Sequence, residues 1–472
     1  MGTFIQFLND IIWSTPFIII CIGTGLYFTF KTKFLQVRYF KHMMQLLFTE
    51  GSSDKGVSPF QAFAIAIAGR VGVGNIAGVA TAIAMGGPGA VFWMWAIAFL
   101  GSATAFVEAC LAQVYKLNID GEYRGGPAYY FEKALKYKWY AYVFAFAALI
   151  SGSYFLPAVQ ANAIAESVNT AWGINKLYIS IGICVLLALT VFGGAKKIGK
   201  VAEIIVPFMA GAYILLSLII IGMNYEHVPE VFALILKSAF NMEATYSGMF
   251  GAAVAWGVKR GLYSNEAGQG TAPQAAAAAA TTHPVKQGLV QAFSVYVDTL
   301  LVCSATAFMI LFTGNFNVYN EAGEMVVANI PHVEKGAAYT TMAIAKYFPS
   351  IASHIIAMAL SLFAFTTIMA YYFIAESNLL YLTKNRNIVL IWILRVITLF
   401  SIVQGCLSSA SDAWTIGDIG VGLMSWVNII GILIIGKIAF KCLDDYDQQR
   451  KAGLDPVFHP EKLGIKNTSE WD

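Results

Sequence analysis

Roughly eleven stretches of about 20 apolar residues run through this chain, and they decide what it can fold into, because a segment crossing lipid must satisfy its own backbone hydrogen bonds. They lie near 11–30, 58–84, 88–115, 139–165, 177–194, 201–223, 245–264, 287–313, 350–382, 388–407 and 416–440. No alternating strand pattern competes with them, so the expected fold is an all-α integral membrane protein of about 11 transmembrane helices. Composition agrees: 58% of residues are hydrophobic and 12% charged, against about 25% charged in a soluble domain. The net charge of +3 is too small and too scattered for a nucleic-acid-binding stripe. The six cysteines stand singly, without metal-ligand spacing, and read as small packing residues. The first run has no basic residues before it and no small-residue cleavage site, and reads as a retained helix.

Lys and Arg alternate strongly between loops. One side holds 24 of them, in clusters at 31–55, 116–138, 196–200, 259–286, 384–386 and from Lys437 onward; the other holds Lys176, Lys237, Lys335 and Lys346. Basic loops stay in the cytoplasm. The expectation is a multi-pass protein of the plasma (inner) membrane, with its N-terminus outside, its C-terminus inside and an odd number of spans. Arg70 and Arg395 fall within spans.

Glycine interrupts the second span as AGRVGVGNIAG (68–78) and crowds the seventh and its exit as WGVKRGLYSNEAGQG (256–270). Those spans are five apart. With the first helix set aside they open two five-helix halves, and an odd number of spans per half forces opposite topologies. Inverted repeats with broken first helices mark transporters that bind substrate near the bilayer midplane. The organisation expected is an extra N-terminal helix and basic loop (1–57), a ten-helix core (58–440, divided into 58–223 and 245–440) and a cytoplasmic tail (441–472).

Gly69, Gly72, Gly74 and Gly78 would each cost about 1 kcal/mol relative to alanine in a regular helix, so unwinding there is cheap. Unwound backbone at membrane depth offers carbonyls to cations and amides to carboxylates. Close helix packing is the competing reading, since Gly74 and Gly78 form a GxxxG. Asn75 beside it and GGPG (86–89) favour a site. A nucleotide-binding glycine loop is excluded, because it needs a preceding strand.

The strings GRVGVGNIAGVATAIAMGGPGAVFWMW (69–95) and WGVKRGLYSNEAGQGTAP (256–273) resemble the alanine or glycine:cation symporters, whose fold is similar to that of LeuT-type transporters. Weaker similarity covers nearly the whole chain. The resemblance implies a 5+5 inverted repeat behind one extra N-terminal helix, and sodium-coupled uptake of alanine or glycine, with D-alanine in its range. It implies no organic cofactor. Residue by residue, Gly69 to Asn75 resembles the substrate carboxylate site, with Arg70 inside it and the NH groups of Val73 and Gly74 as donors. Trp256, Gly257 and Val258 would form the facing break. Phe155 and Gln160 would line the pocket, against plain core packing and helix-to-helix hydrogen bonding as the alternatives. Thr366 and Thr367 resemble a sodium site, with the carbonyls of Ala68 and Val71 opposite; the alternative is that both hydroxyls bond back to their own helix. Tyr371 stands where relatives often carry tryptophan, and Val73 where many carry threonine. Walls formed by Trp256, Phe155 and Tyr371 would exclude longer substrate side chains.

Arg70, Glu108 and Asp298 need partners or a wet cavity at that depth. Arg70 would pair with Asp298, meet the substrate carboxylate, or hold helices together. Glu108 would accept hydrogen bonds from unwound backbone, or serve packing. Glu266 suits a gate or cap. Asp298 is the evident titrating group if protons rather than sodium drive the cycle. An enzyme is not expected, since no intramembrane nucleophile and base, or ligand cluster, is visible, and paired broken helices fit a passive channel poorly.

Overall fold

The computed structural model describes residues 2–48, 56–191, 194–246, 248–384 and 387–471. Of the basic loop residues above, Lys55 and Arg386 lie outside them. Among the described residues, eight helices are long and apolar enough to cross a membrane: α1 (Ile5–Lys31), α4 (Gly89–Val114), α5 (Lys138–Trp172), α7 (Lys197–Met223), α10 (Pro284–Thr313), α11 (Ala352–Thr383), α12 (Ile388–Leu407) and α13 (Ala410–Ile435). A ninth span is the pair α2 (Pro59–Arg70) and α3 (Gly74–Gly86), bent by 51° at its break. Of the expected runs, 177–194 is helical as α6 (Lys176–Val191), its residues 192–193 lying outside those described, and 245–264 forms the 16-residue helix α8 (Phe250–Asn265). The latter is shorter than a full crossing of about 20 residues. The short helix α9 (Ala272–Ala278) continues α8 after six residues outside any helix.

Local chemistry sets these boundaries. Ser58 and Gln61 form a reciprocal capping box and Pro59 takes the first helical position, so α2 starts there. At the next turn, Gly87 adopts φ +68 and Gly89 approaches the backbone of Ser238 and Ala239 so closely that a Cβ would sit 2.5 Å from an amide nitrogen. No other residue fits at Gly89. Three spans near the α2/α3 break contain π-helical turns, at Gly74–Gly78, Ser151–Phe155 and Tyr296–Cys303; such wide turns in helices often mark functional sites.

The basic loops gather at one end of the bundle with the chain's tail. Val57 bridges Ala279, Arg38 pairs with Asp447 of α14 (Lys437–Lys451), and residues 452–471 fold back across this end. Phe458 NH donates to the Thr282 carbonyl at 3.0 Å, and Trp471 Nε1 to that of Gln113 at 2.9 Å. Lys116 Nζ lies over the rings of Tyr123 and Trp471 at 4.2 and 4.5 Å. Small antiparallel hairpins cover residues 117–124 at this end and 317–328 elsewhere.

Two of the expected loop cations are elsewhere. Lys259 and Arg260 are buried within α8, where both pair with Asp418 of α13. The WGVKRG glycines also differ from expectation. Trp256, Gly257 and Val258 lie in continuous helix, and the reason is packing: a Cβ on Gly257 would meet Trp93 Cβ at 2.5 Å, and one on Gly261 would meet Ile97 at 2.4 Å. These glycines let α8 lie against α4. The interruption comes later, at residues 266–271, where Glu266, Gly268 and Gly270 all adopt positive φ.

Candidate functional site

At the α2/α3 break, residues 71 and 72 leave the helix, and the amides of Gly72 and Val73 turn to side chains. Gly72 NH donates to Asn75 Oδ1 at 2.8 Å, and Val73 NH to Gln160 Oε1 at 3.1 Å. The Val73 amide expected to face a substrate carboxylate is therefore engaged by Gln160. Asn75 Nδ2 donates to Asp298 Oδ1 at 2.6 Å, and its carbonyl accepts from Thr306. Gly72 has no alternative residue: a Cβ there would lie 2.6 Å from Thr367 Oγ1 and 2.9 Å from Gln160 Oε1.

Thr367 and Thr366 separate cleanly. Around the Thr367 hydroxyl stand the carbonyl oxygens of Ala68 at 2.8 Å, Phe363 at 2.9 Å and Val71 at 3.4 Å. One hydroxyl hydrogen can serve only one of them, so the cluster has spare lone pairs and the chemistry of a small hard cation's shell. Thr366 instead donates to the carbonyls of Phe363 and Leu362 in its own helix and faces Met209. It is a helix-bonded threonine and not part of this cluster.

Arg70 is fully buried, but its expected pairing with Asp298 is not what it makes. Nε donates to the Asn265 carbonyl at 2.6 Å and Nη1 to the Gln291 carbonyl at 3.3 Å and to Ser294 Oγ. The guanidinium ties α2 to the end of α8 and to α10. Asp298 is enclosed by neutral donors: Asn75, Ser264 at 3.0 Å to each oxygen, and Thr299 at 2.7 Å. Gln291 and Ser294 were not singled out in the sequence, whereas Asp298 stood there as the partner of Arg70 and as a titrating group. Their i, i+3, i+7 spacing in an apolar run was the available signal.

The second break is held from α4. Glu108 accepts the amides of Gly268 at 2.8 Å and Gly270 at 3.0 Å, with Asn428 closing on the same carboxylate. Those are backbone groups that α8 and α9 leave unpaired. Glu266, in the left-handed conformation at φ 56, accepts from Thr271 at 2.8 Å and turns toward the first break. A Cβ on Gly69 would be 3.2 Å from Glu266 Oε2. Tyr371 lies alongside. A cavity of about 10 Å³ is lined here by Gly69, Glu266, Thr271, Ala370 and Phe373, room for about one water.

On the other side of the first break, Tyr263 covers Gly74, where a Cβ would be 3.2 Å from its ring. Beyond it Arg260 grips Asp418 in a two-pronged pair at 3.0 and 2.9 Å, Lys259 adds a contact at 2.7 Å, and Arg260 lies 4.6 Å from the Trp414 ring centre. Trp256 belongs to this layer, 5.4 Å from both cations, and lines a cavity of about 430 Å³ with Ile18, Met85 and Phe250. It does not reach the break. Phe155 packs on Gly420 of α13. Gly69, Arg70, Val73, Gly74, Asn75, Gln160, Tyr371, Ala68, Val71 and Thr367 thus surround the break, while Phe155, Trp256, Gly257, Val258 and Thr366 pack elsewhere.

Residues 1–460 match the model of the sodium:alanine symporter family. The chain belongs to that family. It is 54% identical, over 100% of its own length and 98% of the relative's, to a putative sodium/proton-dependent alanine carrier protein of Bacillus subtilis strain 168. A sodium/proton-dependent alanine carrier protein of Bacillus sp. strain PS3 is 48% identical, with 91% of this chain and 97% of the relative covered. Among solved structures, a manganese transporter of Eremococcus coleocola superposes with a TM-score of 0.52 at 13% identity, covering 86% of this chain and 89% of that one. That likeness concerns the fold alone. As a member of the sodium:alanine symporter family, the protein is a multi-pass membrane transporter and not an enzyme.

Proposed function

We propose that this transporter couples sodium inflow to uptake of a small neutral amino acid, alanine or glycine, with D-alanine in the same size class, by alternating access. The observation that carries the reading is the oxygen cluster of Thr367 Oγ1 with the carbonyls of Ala68, Val71 and Phe363 at the first break. It supplies a sodium ion with neutral oxygens from two elements, α2 and α11, so an ion between them would fix their relative position. The substrate would sit beside it, at Gly69 to Asn75 with Gln160 and Tyr371. Its carboxylate would compete with Asn75 and Gln160 for the amides at the start of α3, and its ammonium would meet carbonyls. Closely packed walls suit side chains no larger than methyl. Sodium and substrate binding must then strengthen one another equally.

In this reading the core is a LeuT-type repeat of 58–223 and 245–440 behind an added helix, eleven crossings in all, set in the plasma (inner) membrane with the N-terminus outside and the tail in the cytoplasm. Both relatives named above carry sodium and proton in their names, so a proton is the competing coupling ion. Asp298, with donors on both oxygens, is poorly suited to carry it alone. Uptake of labelled alanine into proteoliposomes, with sodium replaced by choline, tests the proposal. Sodium-dependent accumulation supports it; accumulation that follows an imposed proton gradient without sodium overturns the sodium assignment. Competition by leucine as effective as that by alanine would overturn the size argument.

A further inference from the structure

The half-helices that meet the two breaks are joined to each other at the tail end. α2 leads into the first break and α9 away from the second. Val57, just before α2, donates to the Ala278 carbonyl at 2.9 Å and accepts from the Ala280 amide at 3.0 Å, so a move of either half-helix carries the other. Between them and α11 lies the one-water cavity, lined by Ala66 and Gly69 of α2, Ala275 of α9 and Phe373 of α11. Water from the tail side would reach the first break here once α2 and α9 swing away.

Residues 452–471 tie this pair to α5, a span without a break. At one end Phe458 NH donates to the Thr282 carbonyl and Thr282 Oγ1 to the Pro456 carbonyl, each at 3.0 Å, and Lys286 pairs with Asp455 at 2.6 Å. Residues 279–286 continue directly from α9. At the other end Asn467 Nδ2 donates to the Lys133 carbonyl at 2.9 Å, Lys133 Nζ to Ser469 Oγ at 2.7 Å, and the Asn118 amide to Glu470 Oε1 at 3.2 Å. Lys133 belongs to the turn Phe131–Leu135 that leads into α5, and α5 packs on α11, the third wall of the cavity. Between the two ends, the buried Phe458 ring meets Trp471 edge-on at 5.1 Å and His283 at 5.5 Å. The segment is packed down along its length.

We infer that residues 452–471 are a strap that holds α2 and α9 shut on the tail side, and that its contacts part each time the transporter opens there. The inference rests on the proposed alternating access. A tail that merely covered the surface would need partners on one moving part only. This one holds partners on both sides of the line along which the half-helices would leave α5 and α11.

The test uses Ala275→Cys, which places a thiol in the cavity, in the full-length protein held in lipid nanodiscs whose two faces are open to a water-soluble maleimide. Ending the chain after Lys451 removes the strap. Several hydrogen bonds and an aromatic contact are then lost together, and the rate of labelling at position 275 is expected to rise at least tenfold. Trp471→Ala loosens one end only and is expected to raise it at least threefold. Cys406, buried where α12 meets α5, reports unfolding: if it labels in the shortened chain, Trp471→Ala decides instead. An unchanged rate at position 275 in the deciding variant overturns the strap and leaves the symport function standing. Absence of sodium-driven alanine uptake by the wild type in proteoliposomes overturns both.

Discussion

Two adjacent threonines at the same depth illustrate how far residue type falls short of role. Thr367 meets carbonyls of α2, whereas Thr366, one position earlier and so turned by about 100° around the helix, meets only its own backbone and Met209. Thr367→Val is therefore expected to raise the sodium concentration for half-maximal uptake at least tenfold, and Thr366→Val to change it less than twofold. Sodium titrations of uptake check this, and equal effects would remove the oxygen cluster from the mechanism. Gly72→Ala is expected to abolish uptake, because its Cβ cannot share space with Thr367 Oγ1 at 2.6 Å. Gly182→Ala, with open space around it, serves as the control and should transport normally. At this scale the sequence showed which residues could hold an ion, but not their azimuth. Both hydroxyls looked alike until α2 stood beside one of them.

Between elements, the two breaks contrast. The first was legible because four glycines and Asn75 interrupt an apolar run with nothing else to explain them. The second was misplaced by ten residues, since a glycine that admits a neighbouring helix and a glycine that frees the backbone look identical in one chain. Gly257 and Gly261 are of the former kind; Gly268 and Gly270, at φ 88 and 82, are of the latter. Glu108 decides the difference by holding the amides of Gly268 and Gly270. Glu108→Ala leaves both amides buried without acceptors, at about 1–3 kcal/mol each. The expected outcome is a clear loss of thermal stability in detergent, read by a tryptophan-fluorescence melt, together with loss of uptake. An unchanged melting temperature would mean that the second break holds itself. Across α8 and α13, Asp418→Asn leaves two buried cations with a neutral partner. Breaking such a pair costs roughly 3–5 kcal/mol, so this variant is expected to melt lower than Arg260→Lys, which keeps the charge. The reverse order would show that the two-pronged geometry matters more than the charge balance.

For the molecule as a whole, the tail end is where pH acts, on a buried group beneath the water-facing loops. His283 caps α10 through Nδ1, which accepts the Val285 amide at 3.2 Å, and Nε2 faces Asp445 of α14 at 3.2 Å. Burial pushes its imidazole down to about 4 from the usual 6.5. A base whose pKa is lowered on folding binds its proton more readily when released, so docking of α14 is undiminished above 6.5 and weakens as pH falls toward 4. Limited proteolysis after residue 436 should accelerate across that window, and His283→Gln should flatten the response; a rate independent of pH would remove His283 from tail docking. The number of spans was less legible than their existence. The 16-residue helix α8 passes or fails a length rule by a few residues, whereas its placement depends on neighbours that a hydropathy window cannot see.

The docking of Trp471 against the Gln113 carbonyl and over Lys116 has a practical side. A purification handle or fluorescent protein fused directly after it would begin within contact distance of the α4 terminus and the 117–124 hairpin, where bulk would lever the tail away. Handles inserted in the exposed 321–325 turn, at the far end of the bundle, leave that seam untouched and are the better choice for purification and imaging.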